Sequence, residues 1–288
     1  MSRKSKEKWF VPAGMEMTEM DEKILFWQEK GKCVPTRNLI KTEEQIAGIR
    51  KAGVLNTAVL DHVAEHIHEG MTTLEIDRLV YDFTTKHGGI PAPLNYEGFP
   101  NSCCTSMNDV VCHGIPSKDD VLEEGDIVNV DCTTILDGYY ADASRMFVIG
   151  KAEPEVQKLV DVAWDCLKVG EQVCQEPYVF VGDLGNAIAK LAHKNGFTVV
   201  RDYCGHGVGL AFHEEPDIMH YGRKGTGMLL VPGMVFTIEP MINEGDWEVC
   251  GDEEDETGWI ALTEDCGLSA QWEHTYVMTE HGVEILTH

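Results

Sequence analysis

Positive charge is what this chain has least of. Its 288 residues carry 23 Lys and Arg against 49 Asp and Glu, a formal net charge of −26. Nucleic acid and anionic membranes both call for a basic footprint, so neither is expected as the main partner. Cations and basic peptides suit the charge better. Long apolar runs are missing too: no stretch of about 18 residues has the length and hydrophobicity of a membrane span. The basic start "MSRKSKEKWFVPAG" lacks the apolar segment that would make it a secretion signal. Ten cysteines are present, but no CxxC pair is, and the spacing is irregular. Cys112, Cys132 and Cys166 sit inside apolar runs, as buried free thiols do. A soluble protein of a reducing cytoplasm is the expectation.

What is there is an ordinary core-forming chain, 43% hydrophobic, long enough for one large domain or two small ones. Residues 1–41 differ from the rest. "TEMDEKILFWQEKG" reads as a short helix stopped by Gly31, and "KCVPTRNLIK" as a linker. Trp9, Phe10, Phe26 and Trp27 give this segment something to bury, so it is read as an arm packed on the body. The body, residues 42–288, opens with a capping box, Thr42 with Gln45. Ile49, Ala52, Leu55, Val59, Val63 and Ile67 then mark one face of a long helix ending near Gly70. A second box, Thr72 with Glu75, starts a shorter helix closed by Gly88-Gly89. Pro154 begins a helix running to about Gly170, and another spans roughly 183–195; strands occupy 109–113, 126–148 and much of the remainder.

"VDCTTILDGYYADASRMF", residues 130–147, has the form of a hairpin around a two-residue Asp137-Gly138 turn. Asp131 and Asp142 lie inside its strands, where Asp is disfavoured. A two-residue loop pairs Leu136 with Tyr139 and Thr133 with Asp142. Asp131 is then a diagonal neighbour of Asp142 on the same face, about 7–8 Å away at Cα. On this stretch alone, two solvated aspartates are the better account. Other acids decide it. "GDIVNVD" places Asp131 six residues after Gly125, and "GMVFTIE" places Glu239 six residues after Gly233. Each first strand is followed by another that carries an acid, Asp142 in the first half and Glu273 in the second. Two helices and an acid-bearing strand pair, twice over, describe a duplicated α+β unit whose sheets meet at a shared site.

Asp131, Asp142, Glu239 and Glu273, with His206 in "YCGHGVG", form the candidate constellation. Four buried carboxylates without counter-charge repel one another and protonate. Two divalent cations and a neutral imidazole balance the set. Oxygen-rich ligands with one His and no thiolate suit Mn²⁺, Fe²⁺, Co²⁺ or Zn²⁺.

"VVCHGIPS", "VNVDCTTILDGYYADASRMF", "CGHGVGLAFHEEP", "FTIEPMI" and "LSAQWEHTYVMTEHG", in this order, resemble a type I methionine aminopeptidase of the M24 metallopeptidases. The resemblance runs from about residue 42 to the C-terminus. It implies the α+β pita-bread fold, with duplicated halves around a curved antiparallel sheet. It implies Asp131, Asp142, His206, Glu239 and Glu273 as ligands of two metal ions, Asp142 and Glu273 able to bridge them. A metal-activated hydroxide would attack the first peptide carbonyl, with Glu239 as proton shuttle. His113 would contact the scissile amide, and His213 the carbonyl or its oxyanion. Tyr96, Phe99, Cys104, Phe212 and Trp259 match positions lining the methionine pocket, where aromatic rings and a thiol suit a thioether. The implied substrate is the N-terminus of a nascent polypeptide whose second residue is small; transient ribosome contact and a monomeric state go with it.

The chain departs from that pattern in places. Ala141 precedes Asp142 where Gly is common, and Trp272 precedes Glu273 where Tyr or Phe is usual; neither removes a ligand. "EGDWEVCGDEEDETGW" puts eight acids between 244 and 257 and reads as a solvated loop. Residues 1–41 contain neither a PxxP element nor a zinc-finger pattern, so ribosome docking does not transfer to them. "HVAEH", residues 62–66, matches the H-x-x-E-H zinc-peptidase pattern, but solvent-facing histidines on a helix explain it. His220, His281 and His288 are read as ordinary histidines. Prolidases and aminopeptidases acting before proline share the ligand set, yet usually carry a larger N-terminal domain than 41 residues supply. Type II methionine aminopeptidases usually carry an insertion between the positions of His206 and Glu239, which here are only 33 residues apart. A non-catalytic relative of this fold tends to lose ligands, and all five are present.

Overall fold

The computed structural model describes residues 8–287; His288 lies outside them. Five α-helices are present among these residues: α1 (Glu19–Glu29), α2 (Glu43–His66), α3 (Thr73–Lys86), α4 (Pro154–Val173) and α5 (Val181–Lys194). The first three begin at capping boxes, in which Thr18, Thr42 and Thr72 each accept the backbone N–H three residues on. α2 ends at His66, earlier than the apolar stripe suggests, because Ile67 is already extended. α4 passes Gly170 and runs to Val173.

The halves have separate cores, as a duplication requires. In the first, Leu55, Val59 and Val63 of α2 and Ile76 and Val80 of α3 pack on Val128, Val130 and Cys132 of the hairpin. In the second, Leu159, Ala163 and Leu167 of α4 and Leu184 and Ile188 of α5 pack on Phe236, Ile238 and Tyr276. The strand ladders are antiparallel and fall into four small sheets. The hairpin Ile127–Leu136/Tyr139–Val148 has the register read from the sequence, Leu136 facing Tyr139 and Thr133 facing Asp142. Its turn residues Asp137 and Gly138 sit at φ +52° and +85°, as a type I′ turn requires.

One seam joins the halves and carries the acids. Glu273 N–H donates to the Ser144 carbonyl at 3.2 Å. Asp142 N–H donates to Thr275 Oγ1 at 3.0 Å, and that hydroxyl donates back to the Asp142 carbonyl at 2.7 Å. Asn129 Nδ2 spans the same junction to the Gln271 carbonyl at 2.7 Å.

The described part of the arm, residues 8–41, packs on the second half; residues 1–7 lie outside the described residues. Trp9, Ile24 and Leu39 are buried in its core, Trp9 Nε1 donates to Asp21 Oδ1 at 2.8 Å, and Trp27 stands edge-on to Phe180. The acid-rich stretch 244–257 is more than a solvated loop. Val249–Gly251 pairs as a strand with Ala261–Thr263. Asp255 turns inward and accepts the backbone N–H groups of Thr257, Trp259 and Ile260 at 2.7–2.9 Å, a turn that fixes Trp259. The nine cysteines from Cys103 to Cys266 are free thiols. No helix of the described residues is long and apolar enough to cross a membrane.

Candidate active site

A cavity of about 500 Å³ opens at the seam. All five acid and histidine candidates line it, together with His113, His213, Tyr96, Phe99, Cys104, Phe212 and Trp259. The chain brings together every site residue expected from the sequence.

The donors converge from both halves. Asp131 and Asp142 come from the hairpin strands. Ile238 pairs with His274, so Glu239 and Glu273 stand opposite each other one step beyond that pair. His206 lies in the short strand Gly205–Gly207, between Val235–Ile238 and Glu214–Ile218. Its flanking glycines make room for it: a Cβ on Gly207 would stand 2.2 Å from the Glu215 carbonyl oxygen, and one on Gly205 would stand 2.8 Å from that of Thr237.

The donor atoms fit a metal better than they fit each other. His206 Nδ1 lies 2.9 Å from the Gly207 carbonyl, which makes it the protonated nitrogen and leaves the lone pair on Nε2. Nε2 is 3.6 Å from Asp142 Oδ2 and 3.7 Å from Glu239 Oε1, too far for strong hydrogen bonds. Two ligands of one small divalent ion stand roughly 3–3.5 Å apart, given bonds of about 2.1 Å. Ligand atoms of Asp142, His206 and Glu273 all lie within 4.8 Å of one another. Glu273 Oε1 is buried with no hydrogen-bond partner, a costly state that a cation relieves.

Electrostatics say the same. Burial lifts the Asp131 carboxyl to about 7 and that of Glu239 to about 8. Burial, then repulsion from neighbouring carboxylates, pushes Asp142 and Glu273 well above the usual carboxylate range. Burial, followed by the neighbouring His213, depresses His206 to about 3 and His113 to about 4, so both rings are neutral at pH 7.

These shifts predict how the metal-free protein responds to pH. Raised carboxyls make the native state bind more protons than the unfolded chain, so their contribution is full below about pH 4 and lost as pH rises through 7–8. The depressed histidines act oppositely below about pH 6.5, where their stabilisation is lost as pH falls. Between pH 6.5 and 8.5 the carboxyls act, joined toward the upper end by buried thiols such as Cys104 and Cys112, which burial raises and which act in the same direction. Each surplus native proton there costs about 1.4 kcal/mol per pH unit. Chelated protein should melt at progressively lower temperature across that window, and metal-loaded protein much less so. A flat chelated curve would contradict the buried-carboxylate description.

The opposite side of the cavity is aromatic. His213 Nδ1 is 3.0 Å from the Tyr96 hydroxyl, and its ring stacks on Phe212 with centroids 4.3 Å apart. Trp259 stands edge-on to both Phe99 and His113, each 5.5 Å away. His113 holds φ +60°; for a residue other than glycine this left-handed conformation costs on the order of 1–3 kcal/mol.

Several supporting residues escaped the sequence reading. Thr133 Oγ1 donates to Asp142 Oδ1 at 2.7 Å, Thr237 Oγ1 to Glu239 Oε1 at 2.6 Å, and Gln271 Nε2 to Glu239 Oε2 at 3.1 Å. Thr133, Thr237 and Gln271 each lie two positions from an acid on a strand or its extension, so alternation along a strand could have found them. No such signal marks His220. Read as ordinary, it is 1% exposed, and its Nε2 accepts the Glu239 N–H at 3.1 Å. Nor does any mark Lys41, whose buried ammonium pairs with Glu214. The Glu214 carboxylate also accepts the N–H groups of Leu210 and Ala211, fixing the turn that presents Phe212 and His213. His62 and His66 do not line the cavity; His62 stacks on Phe83.

A model described as metallopeptidase family M24 matches residues 47–280. Methionine aminopeptidase A of Synechocystis sp. is 51% identical over 246 residues, 85% of this chain and 96% of that one. The chain belongs to this family, among its methionine aminopeptidases. The crystal structure of methionine aminopeptidase from Rickettsia prowazekii superposes with a TM-score of 0.83 at 46% identity, covering 86% of this chain and 99% of that one. Prolidase from Pyrococcus furiosus, 24% identical with a TM-score of 0.67 over 65% of its length, shares the fold. That fold is the pita-bread fold, and membership in M24 makes this chain a metal-dependent hydrolase.

Proposed function

We propose that this methionine aminopeptidase removes the initiator methionine from nascent polypeptides, preferring those whose second residue is small. The observation that carries the reading is the juxtaposition, in one cavity, of the five metal-type donors with His113, His213 and an aromatic, thiol-bearing slot. Residues 42–288 form the catalytic unit and residues 1–41 an accessory arm. The protein acts in the cytoplasm as a monomer, with only transient ribosome contact.

Asp131, Asp142, His206, Glu239 and Glu273 hold two divalent ions, of Mn²⁺, Fe²⁺, Co²⁺ or Zn²⁺. When bound, these ions polarise the first peptide carbonyl and acidify a water molecule. The chain's own residues do the rest. Glu239, which lines the cavity beside the other donors, takes a proton from the attacking water and passes it to the departing nitrogen. His113 contacts the scissile amide and steadies that nitrogen. His213, fixed against Tyr96, donates to the carbonyl oxygen as negative charge develops there. Tyr96, Phe99, Cys104, Phe212 and Trp259 enclose an unbranched thioether.

Selectivity follows from crowding. A bulky second side chain would sit beside His113 and His213, and displacing the reacting carbonyl by about 1 Å costs ~10²-fold. Met-Ala peptides should therefore be cleaved about 10²-fold faster than Met-Leu peptides, and Leu-Ala should be poor because its branched side chain is wider. Methionine release by the metal-loaded protein, compared as kcat/KM, is the test. Comparable values for Met-Ala and Met-Leu would refute the preference, and Ala-Pro as the best substrate would point to a prolidase.

A further inference from the structure

A second cavity, about 660 Å³, lies beside the catalytic one. The arm at Lys32–Val34 forms one wall; Val181 at the start of α5, Met219 and the Gly227–Met228 turn form the others. Glu215 and Asp217 line both cavities. They project from Glu214–Ile218, the outermost strand of its five-stranded sheet, alternating with buried Pro216 and Ile218. Among the described residues neither carboxylate is in an ion pair, and both are exposed. The arm wall is anchored: Leu229 N–H donates to the Cys33 carbonyl at 3.0 Å, and Lys32 Nζ to that of Gly225 at 2.8 Å.

We propose that this second cavity binds the substrate chain beyond its second residue, with Glu215 and Asp217 receiving a basic side chain at the crossing. The proposal rests on the aminopeptidase reading of the catalytic cavity. A 500 Å³ cavity is about 10 Å across, the span of roughly three extended residues. A longer substrate must therefore leave it, and the shared Glu215–Asp217 wall leads into a preformed groove. An edge strand suits an extended peptide. Met219 and Met228 give the groove polarizable, adaptable walls, suited to partners of varied sequence. The crossing is acidic and the far side carries Lys8 and Lys32, so the charge preference belongs at the third or fourth substrate residue.

The test uses the full metal-loaded chain with Met-Ala-Ser and with octapeptides carrying Lys-Lys or Glu-Glu at positions three and four. Two solvent-facing ionic contacts give the Lys octapeptide about a fivefold advantage in kcat/KM over the Glu octapeptide, mostly in KM. The double variant E215Q/D217N should abolish that advantage, read as the ratio of the two octapeptides in the same variant. M228W, which fills the groove, should bring the octapeptides down to the tripeptide's level. Equal kcat/KM for the two octapeptides in the unaltered protein, or a preference that survives E215Q/D217N, would overturn the groove alone. Failure to release methionine from any of the peptides would overturn the aminopeptidase reading and the groove with it.

Discussion

Asp142→Asn should abolish methionine release and at the same time make the metal-free protein harder to melt at pH 8. Asp142 faces His206 Nε2 at 3.6 Å and shares a ligand cluster with it and Glu273. Removing its charge removes metal affinity and the several kcal/mol of transition-state stabilisation a bound ion supplies. The expected loss of turnover is roughly 10³-fold or more. Asn keeps the side-chain volume and an oxygen to accept from Thr133 Oγ1, so the fold has no reason to fail. In the metal-free state the substitution removes one of four mutually repelling buried carboxyls, which stabilises rather than destabilises. Metal content, turnover and the chelated melting temperature are the three measurements. Near-normal activity at full metal content would refute the ligand role, and a lower chelated melting temperature would refute the repulsion argument.

The second large effect is expected at His113. His113→Ala should cut kcat by about 10²–10⁴-fold, the range for a positioned acid–base group, with bound metal unchanged. The ring lies among the cavity walls and is held edge-on by Tyr203 and Trp259, outside the cluster of ligand atoms. Because burial holds it near 4, its own titration should be absent from a rate profile between pH 6 and 9. Parallel loss of metal and rate would make it a ligand instead.

Much of this was legible in the chain itself, and local physics explains why. A two-residue Asp-Gly loop permits few registers, so the hairpin and the shared face of Asp131 and Asp142 follow from the sequence. The capping boxes start the helices where Thr42 and Thr72 stand because each satisfies otherwise unpaired backbone donors. The recurrence of Gly, strand and acid at Asp131 and Glu239 revealed the duplication, and the ordered motifs pointed to the family. Tertiary structure decided what depends on elements distant in sequence. The seam between Ser144 and Glu273 brings carboxylates from two halves into one burial, and that burial, with the repulsion among the carboxylates it gathers, raises their proton affinity. His220 beneath Glu239, Lys41 against Glu214, and Asp255 under the Trp259 turn have no periodicity to announce them. Each acts through a partner outside its own element, and sequence spacing encodes no such distance.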